Sequence, residues 1–150
     1  YLLFESATGQ YDMYFPQSAQ LEEKQYEKRA DSFEHLVFKA QFERFPEGVF
    51  QVDLVYHEEE KYVSHLTNIA SSFIKEADYL RVETDDTVIY YVLDHFNALS
   101  AHYMIGYVAG EGQRLQFEMK LPTGNHKLSN DELTVFRDEM IYLLKSVTFR

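Results

Sequence analysis

The sequence contains no cysteine. That excludes thiol nucleophiles, thiolate metal sites and structural disulfides, and leaves the compartment open. Positive charge is scarce: 14 Lys and Arg stand against 25 Asp and Glu, for a formal net charge of -11. Such a field repels phosphate backbones and anionic lipid surfaces, so nucleic acid is not an expected partner. With only 3 Pro and 6 Gly, most of them at predicted turns, there is no interdomain linker and no low-complexity stretch. No internal repeat is visible. No apolar run approaches the roughly 20 residues needed to cross a bilayer, so no transmembrane segment is expected. The chain opens at Tyr1, not Met, already in a strand-like stretch. The expectation is a processed or excised domain whose leader or anchor has been removed.

What is present is core-forming material. The chain is 45% hydrophobic and 16% aromatic, too rich for a disordered segment. At 150 residues it suits a single domain spanning 1–150. A domain of this size buries roughly 70% of the surface its unfolded chain exposes, so it needs no metal or disulfide staple.

The sharpest local signal lies near the end. Ser129 caps a helix, and Glu132, three residues on, completes a capping box. Leu128 and Leu133 flank the cap as a staple. Leu133, Phe136, Met140, Leu143, Leu144 and Val147 then form one stripe, the pattern of a helix laid on a sheet. A second stripe, Tyr62, Val63, Leu66, Ile69, Ala70, Phe73, Ile74 and Ala77, predicts a broad-faced helix beginning near Glu58.

Strands fill much of the rest. Residues 11–15 alternate and stop at Pro16, and residues 21–29 read as a strand or an irregular edge. Leu36, Phe38, Ala40 and Phe42 face Phe50, Val52, Leu54 and Tyr56 in a predicted hairpin that sets Phe42 opposite Phe50. A turn at Asp85-Asp86 pairs Val82 with Ile89 and Leu80 with Tyr91. The next two hairpins are expected to set Asp94 opposite His102 and Tyr107 opposite Leu115. The polar row Arg114, Gln116, Glu118 and Lys120 is expected on an outer strand. Strands apolar on both faces need cover on both sides. The predicted class is α+β: an antiparallel meander with helices packed on both faces, an α/β/α sandwich.

The stretch Gly9-Gln10-Tyr11-Asp12-Met13-Tyr14-Phe15-Pro16 resembles the Tyr-x-Phe-x-Tyr-Pro start of the PsbP-like superfamily. The closing helix, ending in Lys145-Ser146-Val147-Thr148-Phe149, resembles that group's final helix and its Ser-x-x-Phe finish. The Trp that follows the first Pro in that group has no counterpart here. The resemblance implies a non-enzymatic accessory or interaction domain, in a superfamily that includes many exported bacterial lipoproteins. It carries over no functional residue.

Candidate chemistry is sparse. His57-Glu58-Glu59-Glu60 lacks the His spacing of a helical zinc site, since the next His is His65. Acidic residues in a first helical turn explain it instead. Asp94 and His102, if opposite each other, would form an oriented base. No nucleophile is tied to them, and a cross-strand ion pair accounts for the pair equally. Gly110-Glu111-Gly112 is too short to cradle phosphate and precedes no helix. The 12 Tyr and 12 Phe mostly occupy strand positions where aromatics pack as core, with Tyr90 on the polar face as an exception. Glu22, Glu23 and Glu27 read as a solvated edge that protects a strand from pairing, or as a landing site for a basic partner. No cofactor and no metal are expected.

The functional expectation is a non-catalytic, extracytoplasmic interaction or ligand-binding domain, such as the soluble part of a lipoprotein or membrane-anchored protein. The alternatives are an intracellular adaptor for a basic protein surface, and a small hydrolase or isomerase using Asp94 and His102.

Overall fold

In the computed structural model the described residues are 1–30, 32–42, 45–58, 79–96, 101–122 and 128–150. They form eleven strands and one α-helix: β1 Leu2–Glu5, β2 Tyr11–Phe15, β3 Gln20–Leu21, β4 Glu27–Arg29, β5 Phe33–Phe42, β6 Phe45–Glu58, β7 Leu80–Glu83, β8 Val88–Phe96, β9 Ala101–Gly110, β10 Gln113–Pro122, α1 Asn130–Lys145 and β11 Thr148–Phe149. A short 3-10 turn, Glu23–Gln25, separates β3 from β4.

The large antiparallel sheet runs β3-β5-β6-β10-β9-β8-β7, with β4 added beside β5, and a second sheet has the order β1-β2-β11. Tyr11, Met13 and Phe15 of β2 are buried against the first face of the large sheet. Phe15 stacks on Phe38 with ring centroids 4.3 Å apart, and Tyr11 on Tyr56 at 5.4 Å. Each such side chain removed from water stabilises by about 1.5–3 kcal/mol. Helix α1 lies on the same face and buries Phe136, Met140, Leu143 and Leu144. Its capping box is formed as expected: the Ser129 hydroxyl accepts from the Glu132 amide at 3.2 Å, and the Glu132 carboxylate accepts from the Ser129 amide at 3.0 Å.

This corrects the predicted class. The protein is mostly β, two facing antiparallel sheets with one described helix, and not a sheet with helices on both faces. The first face is shared between α1 and the small sheet, because a period-two apolar row such as Tyr11, Met13 and Phe15 fills the same core as a helical stripe. The predicted helix over 62–77 lies outside the described residues. Strand β6 continues through Glu58, so Glu58 does not begin a helix.

Three hairpin registers also differ. In β5–β6 the partners are Ala40↔Phe50 and Leu36↔Leu54; the expected pairing is off by two residues, and the apolar rows still share a face. In β8–β9 and β9–β10 the expected pairings are off by one. The partners are Leu93↔Met104 and Tyr91↔Gly106, then Met104↔Met119 and Gly106↔Phe117. The core row of β9 is therefore Met104, Gly106 and Val108 rather than Tyr103, Ile105 and Tyr107. Strand β10 is also not an outer strand: it lies between β6 and β9, and Glu118 is buried.

Candidate functional site

The β7–β8 turn carries two adjacent carboxylates, Asp85 and Asp86, both exposed. Thr84 and Thr87 clasp this turn. The Thr84 amide donates to the Thr87 carbonyl at 2.9 Å, the Thr87 amide donates to the Thr84 hydroxyl at 3.0 Å, and the two hydroxyls lie 2.7 Å apart. The next turn along the same end of the sheet joins β9 to β10 and presents Glu111. Gly110 precedes it, and the Phe149 ring lies where a side chain would be: a β-carbon on Gly110 would sit 2.5 Å from Phe149 Cδ2. That close approach brings β11 and the end of α1 against the turn.

Between these pieces lies a cleft of about 680 Å³, lined by the two turns together with Gln113, Lys145, Val147, Thr148 and Phe149. Among the described residues three carboxylates (Asp85, Asp86, Glu111) and one ammonium group (Lys145) line it, an acidic balance. Gln113 ties it to the core: its amide donates to the Tyr56 hydroxyl at 3.1 Å and to the Arg150 carbonyl at 3.2 Å. Among the described residues no histidine lines the cleft. A polar cleft with this charge balance attracts positive charge.

A second polar cluster is buried at the junction of the two sheets. Glu34 is 1% exposed. Its Oε1 accepts from the Tyr11 hydroxyl at 2.8 Å and the Ser6 hydroxyl at 3.0 Å, and its Oε2 accepts from the Tyr26 hydroxyl at 2.8 Å. Burial, then the neighbouring Glu34 charge, push the Tyr11 hydroxyl well above the ordinary tyrosine range. Burial and the bond to Glu34 push Tyr26 up to about 12. Three hydroxyl donors satisfy this buried carboxyl group, which suits a structural clasp. The sequence reading missed it. Its signal was parity: Glu34 continues the row Leu36, Phe38 and Ala40, so it had to enter the core.

Asp94 and His102 are not brought together. Asp94 pairs with Tyr103 and His102 with His95. Asp94 is exposed on the second face of the sheet, and His102 is buried on the first. The His102 Nε2 accepts from the Leu128 amide at 3.0 Å, which anchors the chain where it enters α1. The segment from His57 runs from the end of β6 out of the described residues. Among the described residues there is no group of three His, Asp or Glu placed to hold a metal ion. Tyr90 stacks on Tyr107 at 4.8 Å, and the Arg114 guanidinium lies 4.0 Å over the Tyr107 ring. On the acidic edge, Glu22 pairs with Lys39 at 3.4 Å and Glu27 with Arg29 at 2.8 Å.

The family YvcA_Mog1p, described as "Putative lipoprotein YvcA", matches residues 1–148. The chain belongs to this family. The match agrees with the resemblance carried by the opening strand and closing helix, at the level of a lipoprotein-type, PsbP-like superfamily. No curated protein matches the sequence significantly. A crystal structure from Bacteroides thetaiotaomicron VPI-5482, at 1.50 Å resolution, is similar with a TM-score of 0.52 at 12% identity, over 99% of this chain and 48% of that one. At that identity the likeness shows the fold alone, and the chain spans about half the length of that structure. Among the described residues no helix is long and apolar enough to cross a membrane.

Proposed function

We propose that this family member is a non-catalytic binding domain, held outside the cytoplasm by a lipid anchor and presenting its acidic cleft to a cationic ligand or basic protein segment. The 1–150 chain acts as one domain in this reading. The family's description as a lipoprotein supports the location. The observation that carries the binding role is the solvent-open cleft lined by Asp85, Asp86 and Glu111, with Lys145 as its lone cation among the described residues. Complementary charge of this kind steers encounter and selects partners more than it adds affinity.

The test has two arms. Titration of the protein with a lysine-rich peptide, followed by amide chemical shifts, should perturb residues 84–87 and 110–113. The triple variant Asp85→Asn, Asp86→Asn, Glu111→Gln should weaken binding about tenfold or more, as the loss of roughly 1.4 kcal/mol of steering and contact would. Shifts elsewhere, or none, would reject the cleft. Metabolic labelling with a fatty acid, with fractionation of the full-length gene product, tests the anchor independently. An unlabelled cytosolic product would favour the intracellular adaptor instead.

A further inference from the structure

The sheet edges differ in how they are guarded. Strand β7, at one end of the large sheet, carries Arg81 and Glu83, and β4 is Glu27, Lys28 and Arg29. Charges of this kind on an edge discourage another strand from pairing. Among the described residues strand β1 is the edge of the small sheet; it reads Leu2, Leu3, Phe4, Glu5, with no charge before its last residue. Leu2 is 58% exposed, Leu3 55% and Tyr1 49%. Three large apolar side chains in a row on an open edge leave that edge unprotected.

The direction of the edge's backbone groups follows from the neighbouring ladder. Strands β1 and β2 are antiparallel with Leu2↔Phe15 and Phe4↔Met13. In the same register the Ser6 amide donates to the Tyr11 carbonyl at 3.0 Å. Hydrogen-bonded positions alternate along an antiparallel pair. Even residues of β1 therefore bond to β2, while the backbone groups of Leu3 and Glu5 point to the open edge. On the side-chain faces, Leu3 lies beside Tyr14, which is 46% exposed, and Tyr1 lies beside Tyr142, which is 60% exposed, with ring centroids 5.1 Å apart.

We propose that β1 is a self-association edge, pairing antiparallel with β1 of a second copy about a two-fold axis at Leu3. In that register Leu3 bonds reciprocally to Leu3 of the second copy, and Glu5 falls opposite Tyr1, so no like charges meet. The outward face becomes one apolar row: Tyr14, Leu3, Leu3 of the second copy, Tyr14 of the second copy. Leu2 falls opposite Phe4 on the inner face. Other registers with the same symmetry leave part of the strand unpaired, and the one centred on Glu5 sets two carboxylates together. This register joins two exposed apolar rows and keeps the two Glu5 carboxylates apart, and that self-complementarity selects a second copy as the occupant.

The absence of cysteine makes a clean test possible. A hydrogen-bonded antiparallel pair sets its Cα atoms about 5.5 Å apart, within disulfide reach. The Leu3→Cys variant should therefore give a covalent dimer on mild oxidation, and Leu80→Cys on the β7 edge should stay monomeric. Sedimentation of the unaltered protein across roughly 1 to 500 μM, the range of weak association, should show mass rising toward twice 17.8 kDa. Raising salt from about 0.05 to 0.5 M shortens the screening length from roughly 14 to 4 Å, so a dimer of two acidic copies should tighten. Leu3→Lys should raise its dissociation constant at least about tenfold by placing two ammonium groups at the axis. Leu3→Pro should do the same, since it removes only an outward amide and an edge strand tolerates proline there. A protein monomeric over the whole range would overturn the proposal. So would a dimer that loosens with salt, or one unaffected by both Leu3 variants.

Discussion

Glu34 shows how one residue reaches across both sheets. A carboxylate at 1% exposure persists because hydroxyls of Ser6, Tyr11 and Tyr26 all donate to it. Glu34→Leu leaves those donors facing an apolar group and should destabilise by about 2–3 kcal/mol in urea unfolding. Glu34→Gln retains an acceptor oxygen and should cost less. The tyrosines set a sign for alkaline pH. Both serve as neutral donors and have folded values raised by burial first and by Glu34 next. Their contribution is full below the ordinary tyrosine value near 10 and is lost as pH rises through the folded values, near 12 for Tyr26. Absorbance titration at 295 nm should show Tyr26 ionising near 12 and moving down in Glu34→Gln. Asp53 is also raised, by burial, against the opposing pull of His35, Gln51 and Lys120. Its folded form binds the proton more readily than its unfolded form, so stability falls as pH rises through its folded value. Asp53→Asn should therefore stabilise at pH 7 and lose that advantage in acid, measured as paired urea midpoints.

Among the elements, helix α1 was the most legible. Its cap and stripe are local, and a helix cap needs only the few residues that form it. Ser129→Ala should lower stability by about 1 kcal/mol, visible in thermal or urea midpoints. Strand parity was harder. A register error of two residues in β5–β6 left every side chain on its correct face, whereas an error of one in β8–β9 and β9–β10 turned the β9 row over. The missed clue was Gly106. A β-carbon there would collide with the Tyr90 carbonyl, so the β8 backbone leaves no room for a side chain at this position. Gly106→Ala should destabilise by about 3 kcal/mol, the range for forced overpacking, and should disturb the β8–β9 amide signals first. The same flip separated Asp94 from His102 and converted an apparent base into a helix anchor.

At the scale of the whole molecule, charge and apolar edge oppose each other. The net charge of -11 favours cationic partners at the cleft and resists self-association at β1. Salt should therefore weaken peptide binding at the cleft and tighten the dimer, two opposite slopes measurable in one buffer series. By itself the sequence determined the acidic charge, the lack of thiol chemistry, the strand-rich pattern and the capped closing helix, because composition, short-range periodicity and caps depend on near neighbours. Only the tertiary structure decided that a small sheet shares the first face with α1, that β10 lies inside the large sheet, and that Asp85, Asp86 and Glu111 gather with Lys145 around one cleft. Those outcomes depend on contacts between residues far apart in the chain. Many pairings of alternating aromatic strands satisfy the local pattern equally, and the fit of side chains across two facing sheets selects among them.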